Sequence, residues 1–269
     1  MDSSKQGIRG FLERVGQGSV RGIEEIGGCA ALFGESLYWV FVGRRYRQPV
    51  RIESIFVQMM EIGIRALPIV LLLGATIGVM IAIQGIHTLR IFGAESRVVV
   101  GVALSITREF APLITGILIA GRTGSALAAR LGTMTINQEI DALTVMGINP
   151  VRYLVAPALL ALVVMVPTLT FFSDLVGLFA AGLYISADLG LSLAAYLDQT
   201  LQIVKVGDLT HGLGKSVIFG VLIALIGVAN GAAVKGGAEG VGKATTNAVV
   251  QSITAIVFTD MMFVFVVTR

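Results

Sequence analysis

Four stretches of this chain carry no charged side chain: 66 to 89, 153 to 173, 216 to 234 and 244 to 259. A hydrocarbon core about 30 Å thick is crossed by roughly 20 apolar residues rising 1.5 Å each, so these runs mark membrane-crossing helices. The pattern predicts an all-α integral membrane protein with spans over about 64–88, 98–121, 153–187, 214–234 and 245–268, the last two joined by a Gly-rich loop. Residues 1–25 read as an interfacial helix, with Ile8, Phe11, Leu12 and Val15 at helical spacing opposite Lys5, Arg9 and Arg14. Ile26 to Val42 is apolar but short, is interrupted by Glu35 and stops at Gly43-Arg44-Arg45-Tyr46-Arg47. It is expected to lie on the surface or insert partway, with the arginines as an anchor. Residues 1–60 thus form an interfacial elbow and 61–269 the transmembrane domain.

Two segments resist a simple reading. Residues 122–152 hold Arg122, Arg130, Glu139, Asp141 and Arg152 and look too polar to cross. The stretch 153–187 contains one charge, Asp174, yet a single helix of that length would measure about 50 Å. It either projects beyond the bilayer or bends back, with Pro167 as a place to bend, giving five spans or six. Five spans with the N-terminus inside put fourteen Lys and Arg inside and five outside, and six spans give fifteen and four. Charge bias therefore fixes an inside N-terminus but not the number of crossings.

Composition agrees with a bilayer setting: 55% of the 269 residues are hydrophobic, 14% are charged and mean hydropathy is +0.86. The net charge of +3 is small and nine of the twenty basic residues mix with seven acids before residue 66, so no nucleic-acid partner is expected. No apolar signal-peptide core is visible in the first 25 residues. Cys29 is the single cysteine, which excludes a disulfide framework; it is expected to be a small buried hydrophobe. Glycines recur at small-xxx-small spacing, as in Gly74 and Gly78, Gly116 and Ala120, Gly124 and Ala128, and Gly227 and Gly231. Such spacing lets helix backbones approach closely and suggests a tight bundle with a self-association surface.

Chemistry is sought where polar groups interrupt the apolar runs. Arg108 and Glu109 fall within the second span, in Ser105-Ile-Thr-Arg-Glu-Phe-Ala-Pro112. Charges at that depth face a protein interior or a wet cavity, either as a brace or as part of a substrate path. Pro112 cannot donate to the Arg108 carbonyl, so a kink is expected there. Gln84, His87 and Asp174 are further polar interruptions. After the second span, Thr135 or Asn137 can cap a short helix with Glu139 and Asp141 in its first turns and Gly147 and Pro150 ending it. Its apolar Ile140, Leu143, Val145 and Met146 cannot all be hidden, which suits a docking knob for another protein.

Two phosphate-loop lookalikes fail. His211-Gly-Leu-Gly-Lys-Ser216 has Leu209 where the first glycine belongs, and Gly237-Ala-Glu-Gly-Val-Gly-Lys243 is followed by Ala244 where a hydroxyl is needed. With two histidines and no hydrolase or zinc motif, no catalytic set, cofactor or metal site is expected in this chain.

Several strings together resemble the MlaE/YrbE permease family, the membrane subunits of ABC transporters that work with MCE-domain proteins. They are Leu67-Pro-Ile-Val-Leu-Leu-Leu-Gly74, Leu104-Ser-Ile-Thr-Arg-Glu-Phe-Ala-Pro112, Gly121-Arg-Thr-Gly-Ser-Ala126, Leu131-Gly-Thr-Met134, Gln138-Glu-Ile-Asp-Ala-Leu143, Asn149-Pro-Val-Arg-Tyr-Leu154 and Gly236-Gly-Ala-Glu-Gly-Val-Gly-Lys-Ala-Thr-Thr246. The likeness runs from about residue 50 to the C-terminus, with Phe110-Ala111 standing where many members have Leu-Gly. The resemblance implies a homodimer in a Gram-negative inner membrane, five spans per copy, and a coupling helix at 135–147. Gln138, Glu139, Asp141, Leu143 and Met146 would contact a separate ATPase that holds ATP and magnesium. It also implies a periplasmic MCE-domain carrier, a STAS-domain protein and phospholipid as substrate, moved to keep the outer membrane asymmetric. Arg108 and Glu109 match the family's charged pair beside the lipid path, to which Gln84 and Asp174 are added as polar span residues. A secondary transporter or channel for a hydrophobic solute is the rival reading, although internally repeated halves are not visible.

Overall fold

The computed structural model describes residues 27–43 and 51–267. The expected interfacial helix at 1–25 and the arginine anchor at 44–47 lie outside them. Helix α1 (Gly27–Val42) is apolar but short of a span. It is tied down where Asn149 Nδ2 donates to Glu35 at 2.9 Å and Arg152 lies 5.5 Å from the centre of the Trp39 ring. Helix α2 (Ile52–Gly63) follows, and its outer face exposes Ile52, Phe56, Met60 and Ile64, four residues apart. That stripe suits a helix lying at a membrane interface.

Five helices are long and apolar enough to cross a bilayer, covering Leu67–Ile91, Glu95–Ile136, Val151–Leu189, Val206–Ala232 and Gly237–Val266. The first is α3 (Leu67–Ile91), with Pro68 in its opening turn, where no intrahelical partner for its nitrogen is needed. The second contains α4 (Val98–Ser105), α5 (Ala111–Ile119) and α6 (Ser125–Ile136), joined by π turns at Ile106–Phe110 and Ala120–Gly124. It does not stop at residue 121. The Ala- and Leu-rich run Ser125-Ala-Leu-Ala-Ala-Arg-Leu propagates the helix through Arg122 and Arg130 to Ile136. At 42 residues it is roughly 60 Å long, so its α6 end projects well past a 30 Å core.

The expected 135–147 helix is shorter and begins later. The chain leaves α6 at Ile136, turns through Asn137 and a left-handed Gln138 (φ 58°), and forms α7 (Glu139–Val145). Neither Thr135 nor Asn137 caps it: the Thr135 hydroxyl donates back to the Leu131 carbonyl at 2.9 Å. A third π turn, Val151–Val155, leads into α8 (Ala156–Leu189). Helix α8 runs unbroken through Pro167, so the chain crosses five times, and Gly190 in the left-handed region ends it. An unforeseen surface helix, α9 (Leu193–Ile203), starts where Ser192 Oγ accepts the Ala195 amide, and its Tyr196 is buried with the hydroxyl donating to the Leu178 carbonyl at 3.0 Å. Helices α10 (Val206–Ala232) and α11 (Gly237–Val267) complete the bundle. The turn between them is shorter than the expected Gly-rich loop, because Gly236 and Gly237 take positive φ and residues 238–243 are already helical.

Lipid supplies no hydrophobic drive between helices, so packing rests on close backbone approach. A Cβ on Gly78 would overlap the Gly177 carbonyl, and one on Gly74 would lie 2.7 Å from Ser173 Oγ, which joins α3 to α8. Gly227 and Gly231 approach the Gly124 and Ala128 carbonyls, which joins α10 to α6. These small-residue pairs are therefore used inside one copy. The core centres on Leu162, Val166, Phe219 and Ile223, while α3 and α11 expose apolar faces such as Leu72, Met80, Phe258 and Phe265. Cys29 is half-buried and lines an apolar cavity of about 380 Å³ with Leu222, Ile226 and Ala255.

Candidate functional site

The π turn Ile106–Phe110 carries the chain's most concentrated charge chemistry. Pro112 removes the amide that would bond the Arg108 carbonyl, and the helix answers by widening, with the Ala111 amide reaching the Ile106 carbonyl five residues back. Neighbouring residues on a regular helix point about 100° apart, yet here Arg108 and Glu109 both reach α10. Arg108 Nε donates to Asp208 Oδ1 at 2.8 Å, and its Nη2 bonds the same oxygen. Asp208 also accepts the Lys205 amide at 2.9 Å, so Arg108 is fastened to the cap of α10.

Glu109 accepts from Lys215 Nζ at 2.6 Å, and the same ammonium lies 3.0 Å from Asp260 Oδ1 on α11. Lys215 is 0% exposed while Glu109 is 35% exposed, so a buried cation joins three helices through a triad that is open at its Glu109 end. Between Asp208 and Lys215 stands Gly212, where a Cβ would overlap the Thr107 carbonyl. Residues 208, 212 and 215 thus form one stripe of α10 laid against the π turn.

The other candidates are placed separately. Gln84 is exposed on α3, on a face open to lipid or to another subunit. Asp174 is buried in α8 beside Ser173, and among the described residues neither of its carboxylate oxygens has a hydrogen-bond partner. Neither Gln84 nor Asp174 bonds the Arg108–Glu109 network. Asp208, Lys215 and Asp260 were not singled out from sequence, although Asp208, Gly212 and Lys215 recur at helical spacing. Among the described residues no three His, Cys, Asp or Glu side chains gather as metal ligands.

At the far end of the same long helix, α7 stands outward. Gln138, Glu139, Asp141, Val145 and Met146 are exposed, Val145 by 88%. Leu143 and Ile140 turn inward against a small core of Leu131, Leu154, Val155 and Val228. Asn137 Nδ2 donates to Glu139 Oε1 at 3.1 Å across the left-handed turn. The knob is thus fixed to the bundle by its two leucine-type residues and presents acids and two apolar side chains to the outside.

Five crossings, a charge network at a widened turn and an outward knob joined to the end of the same long helix define a multi-pass membrane protein. The MlaE permease family model matches residues 55–266, and the chain belongs to that family. It is 32% identical over 248 residues to a probable ABC transporter permease protein of Rickettsia typhi, covering 92% of this chain and 94% of that one. A probable ABC transporter permease protein of Synechocystis is 40% identical over 200 residues, 74% of this chain and 76% of its own. The intermembrane phospholipid transport system permease protein MlaE of Haemophilus influenzae is 32% identical over 206 residues, covering 76% and 79%.

Proposed function

We propose that this chain is the membrane subunit of an ABC-type transporter that moves phospholipid between an inner membrane and a periplasmic MCE-domain carrier, sustaining outer-membrane lipid asymmetry. Two copies form the translocating unit, the α7 side faces the cytoplasm, and a separate ATPase with its STAS-domain companion docks there. ATP and magnesium belong to that ATPase. The observation that carries this reading is the exposed α7 knob, joined by the Asn137–Gln138 turn to the end of the helix that bears the Arg108–Glu109 network. The phospholipid named for the Haemophilus influenzae relative supports the substrate class.

Force applied to Glu139, Asp141, Val145 and Met146 passes into α6, because Ile140 and Leu143 lock the knob to the core at Leu131. Helix α6 is continuous with the two π turns, the points along this helix where extra backbone width permits repacking. Repacking at Ile106–Phe110 shifts α10 and α11 through Asp208, Lys215 and Asp260, and so alters an apolar chamber between the copies. The test is a Glu139→Arg, Asp141→Arg double variant, whose side chains are exposed and whose replacement leaves the core alone. It is expected to lose the ATPase on co-purification and to stop nucleotide-dependent lipid transfer between vesicles while retaining its dimeric state. Retained ATPase, or lipid transfer by the purified chain alone, would refute the reading.

A further inference from the structure

A cavity of about 270 Å³ lies between α2, α6 and the start of α8, apart from the charge network described above. Its polar lining is Gln58, Glu61, Arg122, Thr123 and Arg130, with Leu127 and Leu162 among its apolar walls. Gln58, Leu127 and Arg130 also border a smaller adjoining space that reaches Ser54 and Tyr153. Arg122 is half-buried and its Nη1 lies 3.5 Å from the Ile62 carbonyl, at the limit of a hydrogen bond. Among the described residues no carboxylate comes within ion-pair distance of Arg122 or Arg130. Glu61 also lines the space, but its carboxylate is engaged by Arg65 at 3.4 Å. Two guanidinium groups, that of half-buried Arg122 and that of exposed Arg130, therefore share one semi-enclosed cavity whose single carboxylate, Glu61, pairs with Arg65 rather than with either of them.

Depth identifies the anion. Arg122 sits about 36 Å along the helix from Val98, one hydrocarbon thickness and a few ångströms more, which brings it to head-group level on the α7 side. Helix α2 closes the cavity on the membrane side and exposes Ile52, Phe56 and Met60 outward, as an interfacial helix does. Guanidinium forks match the paired oxygens of a phosphodiester, and the Gln58 amide and Thr123 hydroxyl add neutral partners. The space is too small for a whole two-chain lipid but accepts a head group and glycerol, with the chains leaving along the apolar face.

We infer that this cavity binds the phosphodiester of a membrane phospholipid on the α7 side, at a site separate from the Arg108–Glu109 network. Binding here concerns a resident lipid and does not depend on which solute the protein carries. The experiment uses the full-length chain, delipidated in detergent, with dioleoylphosphatidylglycerol added and bound lipid counted by native mass spectrometry. Dioleoylglycerol, which lacks the phosphate, and inorganic phosphate, which lacks the chains, are the parallel probes. Phosphatidylglycerol is expected to bind, dioleoylglycerol not to, and inorganic phosphate only at far higher concentration. Arg122→Gln with Arg130→Gln is expected to weaken retention by at least about tenfold, the loss of one to two charge-assisted contacts.

Ala126→Phe fills the cavity from an exposed position and is expected to weaken retention with both arginines intact, which covers the case of a double variant that fails to fold. Unchanged retention in Ala126→Phe, or in a folded double variant, overturns the inference. So does dioleoylglycerol binding as well as phosphatidylglycerol, or phosphate binding as tightly as the lipid. No ATPase or nucleotide is present, and a lipid held in the chamber between copies is untouched by Arg122, Arg130 or Ala126, so the lipids lost per chain from parent to variant report this cavity independently of the transport reading.

Discussion

Replacing Lys215 with methionine removes the one cation that holds Glu109 and Asp260 together, at a position with no exposure to solvent. The side chain keeps its apolar stem, so the change is electrostatic: two carboxylates are left facing each other across the gap between the Ile106–Phe110 turn, α10 and α11. Removing one partner of a fully buried ion set costs about 3–5 kcal/mol, and solvent reaching the 35% exposed Glu109 lowers that to about 2–3 kcal/mol here, while replacing the whole set by neutral groups of similar shape is close to neutral or stabilising. With a shift of roughly 2–4 °C per kcal/mol for a chain of this size, Lys215→Met is expected to lower the melting temperature in detergent by roughly 4–12 °C. The triple variant Lys215→Met, Glu109→Gln, Asp260→Asn is expected to recover most of that loss. Fluorescence-monitored thermal unfolding of the three single variants and the triple measures both numbers. A single variant that melts like the parent, or a triple variant no better than Lys215→Met, would refute a triad held by its own charges. Lipid-transfer activity of the triple variant separates brace from mechanism: recovered stability with lost transfer assigns the charges to the working cycle.

Gly78→Val places a branched Cβ against the Gly177 carbonyl, and the α3–α8 contact has no slack to absorb it, so a broadened or aggregated peak on size-exclusion chromatography is expected. A sharp peak with unchanged melting would refute the packing. Tyr196→Phe deletes the hydrogen bond to the Leu178 carbonyl and is expected to cost about 1 kcal/mol at neutral pH by thermal unfolding. Burial holds the Tyr196 phenol above its ordinary range, with a hydrogen bond to Thr200 opposing the shift. The unfolded phenol therefore releases its proton first as pH rises, and the stability tied to the protonated form is present below the ordinary phenol value and lost above it. Parent and Tyr196→Phe melting curves should keep a constant gap below about pH 10, the ordinary phenol pKa, and converge as pH rises above it; a constant gap on both sides of that value would count against it.

The crossings were legible because a bilayer imposes a length and a polarity on its helices that any chain must meet. Where the sequence misled, the cause is local. Arg122 and Arg130 read as a reason to end the second span at 121, but charge at the end of a long helix is no barrier once that end projects beyond the hydrocarbon. The question of 153–187 turned on Pro167, whose missing hydrogen bond bends a helix without having to reverse it. The short helix expected at 135–147 is present but begins only at Glu139 and ends at Val145, because Thr135 gives its hydroxyl to the Leu131 carbonyl and the turn is made by Gln138 in a conformation that residues other than glycine seldom adopt. Helix α9 was passed over because its apolar residues are too few to register beside true spans.

For the charge network, only one side could be read from the chain. Arg108 and Glu109 interrupt an apolar run and so announce themselves, whereas Lys215 stands at the first residue before such a run and looks like its boundary. Asp208 looks like a helix-capping acid, and is one, yet its second bond is the one that matters to Arg108. What converts these ordinary end-of-helix residues into partners is the offset between helices: the second span is entered three residues after Glu95, while α10 begins only after α9 has lifted the chain back toward the bundle. The starts of α4 and α10 lie on the same side of the bundle, and the positions nine to eleven residues after Val98 meet those two to nine residues after Val206. Pro112 then supplies the widened turn that lets two adjacent side chains face one helix. The same reasoning explains why Gly212 sits between the two bonds: a stripe that carries charge at either end of the contact must let the backbone approach in the middle, or neither side chain would reach.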